Sequence, residues 1–197
     1  MVRSGLLAIT FSSEGKKLNR LMINFLAFQA GWFSCVLGAA NGYPMVGPVA
    51  VFVAVSLHLM LAYKPRRELV LILIAAVMGA LFDTLLLQTG WLTYANGMLW
   101  AGTAPYWIVA MWLLFATTLN VSLRWLRRSY FAAAMLGLIG GPMSYYGGAK
   151  LGGLTFVNAP AALTALAIGW ALVTPLLVWL SGRLDGMQPE DPVVQHA

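Results

Sequence analysis

The placement of the basic residues constrains this chain more than any other feature. Lys16, Lys17 and Arg20 precede a first long apolar run; Lys64, Arg66 and Arg67 separate the second run from the third; Arg124, Arg127 and Arg128 separate the fourth from the fifth. Every second connection is therefore basic. Cytoplasmic loops retain Lys and Arg while translocated loops are depleted of them, so the alternation predicts orientation as well as the number of spans. Of the 12 basic residues only Lys150 falls near the opposite face.

A membrane-spanning helix needs about 20 mostly apolar residues at about 1.5 Å each. Six stretches meet or approach that length: residues 21–40, 47–63, 69–89, 105–123, 130–151 and 160–180. An even number returns the chain to its starting side, which places both termini in the cytoplasm. Pro48, Pro105 and Pro160 suit first helical turns, where a missing N–H costs nothing, and Asn41-Gly42 and Asn96-Gly97 mark turns in the outer connections. Trp91, Tyr94, Trp100, Tyr106 and Trp107 crowd the third connection, as expected of rings anchored at the headgroup level. The expected fold is an all-α bundle of six transmembrane helices over residues 21–183, with a cytoplasmic extension at 1–20 and a disordered tail at 184–197.

A signal peptide competes for the first segment, with Lys16–Arg20 as its basic region and Gly38-Ala39-Ala40 as a small-residue cleavage site. The apolar core is long for that, and Asn24 and Gln29 interrupt it, which favours an uncleaved helix. Met22 is itself a plausible start, so the extension before it reads as dispensable.

Composition narrows the function classes. With 60% hydrophobic and 9% charged residues the chain has too little polar surface for a water-soluble globule. Its net charge of +6 resides in membrane flanks rather than on one folded face, which argues against nucleic acid as a partner. Membrane lipids are the expected partners, with a second copy or another membrane protein also compatible. The single cysteine, Cys35, lies inside an apolar run and reads as a small buried residue. The sequence motifs of serine hydrolases, P-loops and zinc helices are absent, so no enzyme class, metal or cofactor is indicated.

Polar residues within the spans are the candidate site. Asp83 reads as the one carboxylate inside an apolar span, fourteen residues beyond Leu69, or about 21 Å from the inner edge. A carboxylate there needs a partner, a proton or a water-filled cavity. Lys150, with Tyr146 one turn before it, lies at similar depth on the fifth span; Tyr145, Gln88 and Asn41 are near the same level. Asp83, Tyr146 and Lys150 are the catalytic candidates, as either a structural ion pair or a functional carboxylate. Asn24, Gln29, His58 and Asn120 form a second polar layer nearer the cytoplasm and, with Tyr145, are the ligand-binding candidates. On the fifth span Ala133, Gly137, Gly141, Ser144, Gly148 and Gly152 make a small-residue stripe, the signature of a close helix contact, and Pro142 predicts a kink.

The run Asn24-Phe25-Leu26-Ala27-Phe28-Gln29-Ala30-Gly31-Trp32 and the segment Gly140-Gly141-Pro142-Met143-Ser144-Tyr145-Tyr146 carry a resemblance to an uncharacterised bacterial inner-membrane family, a domain of unknown function. Arg66-Arg67-Glu68-Leu69, Phe82-Asp83 and the stretch from Leu113 to Asn120 extend it over residues 22–181. The resemblance implies a multi-pass inner-membrane location and a lipid-related role, and assigns no residue a task. In size and hydropathy the chain is also similar to small multispan lipid hydrolases of the lysoplasmalogenase type. Those rely on more than one acidic residue, whereas only Asp83 stands out here. The functional expectation is a protein that binds or modifies an amphiphile in an outer-leaflet cavity near Asp83, with a small-solute or proton-coupled transporter, or a non-catalytic partner protein, as alternatives.

The topology is testable directly. Reporter fusions after Ala40, Lys64, Tyr94, Arg128, Val157 and Arg183 should alternate between external and cytoplasmic signals, beginning external. Two consecutive fusions on one side would overturn the arrangement.

Overall fold

Helix boundaries follow the local chemistry of the chain. In the computed structural model, which describes residues 2–188, Pro65 opens α3 (Pro65–Gln88), and Pro105 immediately precedes α4 (Tyr106–Leu119). Ser129 Oγ accepts from Ala132 N to start α5 (Tyr130–Lys150), and Asn158 Oδ1 accepts from Ala161 N to start α6 (Ala159–Arg183). Each cap satisfies a backbone donor that the helix itself leaves unpaired. Together with α1 (Val2–Ala40) and α2 (Val46–Met60) these make six α-helices, and a 3-10 turn at Arg124–Arg128 joins α4 to α5. The turns expected at Asn41-Gly42 and Asn96-Gly97 form, with φ of 79° and 86° at the two glycines, a region where a Cβ would be strained.

Among the described residues three helices are long and apolar enough to cross a membrane: Leu18–Ala40 within α1, α3 and α6. The others fall short of that description for different reasons. At 15 and 14 residues, α2 and α4 extend only about 22 Å and 21 Å. The 21 residues of α5 are long enough, but its glycines and hydroxyl side chains dilute its hydropathy. It runs continuously through Pro142.

The core explains the short α4. Trp107, Ile108, Ala110, Trp112, Leu114, Ala116, Thr117, Thr118 and Leu119 are all buried, and α4 packs against α1, α2, α3 and α6. Large apolar side chains point outward around the bundle instead, among them Phe52, Val77, Leu85, Phe131, Met143 and Leu172, a surface suited to hydrocarbon rather than water. At one end, a ladder between β1 (Leu92–Thr93) and β2 (Thr155–Phe156) ties the α3–α4 loop to the α5–α6 loop. Aromatics expected there as interfacial anchors divide: Trp100 is exposed, but Tyr94 and Trp107 are buried and meet edge to face at 5.6 Å. Lys64, Arg124 and Arg127 meet residues 185 and 186 at the other end.

Residues 2–20 continue directly into α1 as helix, and one sequence expectation changes at the other end of the chain. Residues 184–188, read as the start of a disordered tail, fold under the bundle instead, because polar groups there have partners. Asp185 pairs with Arg124 at 2.7 Å and Arg127 at 2.8 Å, Gly186 O accepts from Lys64 N, and Met187 is buried. Residues 189–197 lie outside the described residues.

The small-residue stripe on α5 is a contact surface with two partners. A Cβ on Gly137 would come within 2.1 Å of the Trp170 carbonyl oxygen, and one on Gly141 within 2.3 Å of the Trp170 ring, so α6 lies directly on the helix there. Farther along, Trp32 Nε1 donates to Ser144 Oγ at 2.9 Å, and a Cβ on Gly148 would meet Val36 of α1 at an ordinary 3.9 Å. Gly140, one residue off the stripe, faces open space. Gly141→Leu should therefore lower detergent thermostability by about 1–3 kcal/mol through overpacking, while Gly140→Leu leaves it unchanged or raised. Equal melting of the two variants would show that the stripe does not hold α6.

Candidate functional site

Asp83 is fully buried in α3 and is the hub of the loop-side half of the bundle. Tyr145 of α5 donates to Oδ1 at 2.5 Å, Tyr94 of the α3–α4 loop donates to the same oxygen at 3.3 Å, and Trp112 Nε1 of α4 donates to Oδ2 at 2.7 Å. Gly79 makes the third bond possible. It lies one turn before Asp83 on the same face, and any Cβ would come within 2.0 Å of the Trp112 ring. Behind Trp112 the Trp170 indole stacks at 4.5 Å and 14°. Tyr94, outside the helices, is held well above the usual phenol range near 10, first by burial and then by the Asp83 charge, so it remains a donor.

The expected ion pair with Lys150 is not formed. Lys150 and Tyr146 are exposed, the ammonium lying 5.3 Å from the Tyr146 ring centroid, and no basic group among the described residues pairs with Asp83. The reason is the rotation of α5. Packing Gly137 and Gly141 on Trp170 turns Tyr145 inward, and residues one step on, 100° around the helix, turn away. Asn41 is likewise elsewhere, its amide capping Leu37 O at the exposed end of α1, and Gln88 is exposed.

A second buried carboxylate went unseen in the sequence because it follows Arg66 and Arg67 directly. Glu68 is in the first turn of α3, fully buried. His58 Nε2 lies 2.8 Å from Oε2, while Asn120 Nδ2 and Gly186 N donate to Oε1 at 2.6 Å and 2.7 Å. Arg127 bonds the Asn120 carbonyl in turn. The polar layer read from His58 and Asn120 thus exists, organised around an acid that sequence inspection assigned to a loop. Asn24 joins the same level by donating to Thr117 O at 3.0 Å and accepting from Ser122 at 2.5 Å. Glu68 and Asp83 are fifteen residues apart on one helix, about 22 Å, so they do not form a two-carboxylate site. No group of three His, Cys, Asp or Glu able to hold a metal occurs among the described residues.

Gln29 is in neither cluster. It lines a side cleft of about 520 Å³ between α1, α4, α5 and α6, with Phe25, Phe28, Trp32, Phe115 and Trp170 as its aromatic walls and Gly140 and Gly141 as its floor. A gap of about 40 Å³, bounded by Trp32, Ser144, Trp112, Tyr145 and Trp170, continues from the cleft toward the donors that surround Asp83. Two polar atoms at this junction are buried without a partner: Thr174 Oγ1, set against Gly137, and Trp170 Nε1, which turns toward the Tyr145 hydroxyl without bonding geometry. The cleft runs from Ser122 and Leu123, toward the basic end, to Ser144, the residue before the Asp83 partner Tyr145.

The helices, the apolar exterior and the buried polar hubs define a membrane-type helical domain. The chain belongs to the family described as "Protein of unknown function (DUF2878)", which matches residues 21–176 and so covers both carboxylates and every residue lining the cleft. No curated protein and no solved structure matches the chain.

Replacements at Asp83 separate the roles of its neighbours. Tyr94 and Tyr145 hydroxyls accept as well as donate, but an indole N–H only donates. Asn at position 83 can face its oxygen to Trp112 and its amide to the tyrosines, so Asp83→Asn should cost only about 1 kcal/mol in detergent melting. Asp83→Leu strands all three donors and should cost about 3 kcal/mol or more. Lys150→Met should be silent and additive with either. A melting curve for Asp83→Leu that overlays the parent would remove Asp83 as a structural hub.

Proposed function

We propose that the protein is a six-span inner-membrane protein with both termini in the cytoplasm, and that it binds an amphiphile in the cleft between α1, α4, α5 and α6. The topology rests on the alternation of basic connections and on the apolar exterior, with α2 and α4 completed by their flanking turns. The observation that carries the binding role is the cleft itself. Its volume of about 520 Å³ falls in the range of about 300–1,000 Å³ typical of small-ligand sites, and aromatic and aliphatic side chains line it with a few polar groups interspersed. Proton-coupled transport is the weaker reading, since Asp83 is enclosed by three neutral donors. Among the described residues, no His, Cys, Asp, Glu or Lys lines the cleft, so binding is favoured over chemistry at that surface.

Gly140 provides the test, because it lines the cleft and has empty space where a side chain would go. Gly140→Trp should fill the cleft without moving a helix. The purified variant should melt like the parent but lose the lipids that co-purify with the parent, as measured by mass spectrometry of extracts at matched protein. An unchanged lipid complement in a folded Gly140→Trp protein would exclude the cleft as the binding site.

A further inference from the structure

The cleft's polar groups, which the lipid-binding reading alone leaves unexplained, specify the ligand's chemistry. Gln29 is the middle residue of the 23-residue apolar stretch Leu18–Ala40, so its amide stands near the centre of that helix. It lines the cleft, and among the described residues it makes no hydrogen bond. An amide has two donor hydrogens and an acceptor oxygen, and in hydrocarbon no water supplies the missing partners. Ser144, also on the wall, accepts from Trp32 Nε1 and has its own proton to give. Trp170 Nε1 and Thr174 Oγ1 also lack partners, but both atoms are buried behind the wall. Thr118 and Ser122, by contrast, spend their protons on Phe115 O and Asn24 Oδ1. Spare hydrogen-bonding capacity on the cleft wall is thus concentrated at Gln29 and Ser144.

Charge is missing from the same wall. None of the cleft-lining residues is ionisable, so a phosphate, carboxylate or ammonium drawn inside would lose its hydration with no counter-charge. A hydroxyl or carbonyl oxygen would instead replace water with the amide and the hydroxyl. From this juxtaposition, an unpaired amide at mid-stretch and a free hydroxyl donor in an uncharged aromatic cleft, we propose that the ligand is an uncharged membrane lipid carrying a hydroxyl or carbonyl oxygen, held with that oxygen at Gln29. The proposal rests on the cleft being a lipid site.

The full-length protein in detergent, photolabelled with a diazirine-bearing long-chain alcohol, tests it. Four competitors of equal chain length are compared: hexadecanol, hexadecyl phosphate, hexadecyltrimethylammonium and hexadecane. Labelling should map to peptides of α1 and α5, and hexadecanol should compete about tenfold better than either charged competitor or the alkane. In Gln29→Leu, which exchanges an unbonded amide for an apolar side chain, the advantage of alcohol over alkane should shrink by about three- to tenfold, the equivalent of one hydrogen bond, with melting unchanged or raised. A charged competitor equal to the alcohol, or an undiminished alcohol preference in Gln29→Leu, would overturn this assignment while leaving lipid binding in place. Failure of any amphiphile to label saturably would remove the lipid site and this inference with it.

Discussion

A carboxylate buried in an apolar helix must be surrounded by donors, and α3 carries one near each end. Asp83 gathers Tyr94, Trp112 and Tyr145 from three later parts of the chain, and Glu68 gathers His58, Asn120 and Gly186. Each removed donor would leave part of a charged or protonated group without solvation, so geometry at both ends is tightly specified. In lipid, where packing between helices has no hydrophobic driving force of its own, such directional contacts fix which helices are neighbours and at what rotation. Close packing does the rest: Gly79 admits Trp112 to α3, and Gly137 and Gly141 seat α6 on α5.

Much of the fold was legible because apolar run length, proline and Asn-Gly turns act locally. The six helices fall where the runs lie, and the stripe on α5 is indeed a packing face. What sequence could not supply was rotation. Tyr145 and Tyr146 are adjacent and chemically identical, and only the seating of α5 on Trp170 decides that the first meets Asp83 while the second meets Lys150 outside. Glu68 was hidden for another reason: beside Arg66 and Arg67 it reads as one more charge in a loop, although α3 starts at Pro65 and takes it inward. Proline at the first helical position was the available signal.

The cleft was illegible for a third reason. A void belongs to no residue and has no motif. It arises where α1, anchored to α2 by the approach of Gly47 to Cys35, meets the α5–α6 pair through Trp32 and Ser144 and is not filled beside them. Gln29, visible in the sequence as a polar interruption, marked the place without revealing what it faced.

The buried carboxylates also bear on the order in which the molecule is made. Every donor to Asp83, and two of the three partners of Glu68, lie later in the chain than α3. When α3 is first made, Asp83 has none of its final partners, and it waits for α4 and then α5. Glu68 is closed over only when residues 184–188, which follow α6, fold beneath the bundle. The helix that organises the finished protein is therefore the one that is incomplete for longest during biogenesis, and an unfinished chain presents two carboxylates short of partners by which it can be told from a finished one.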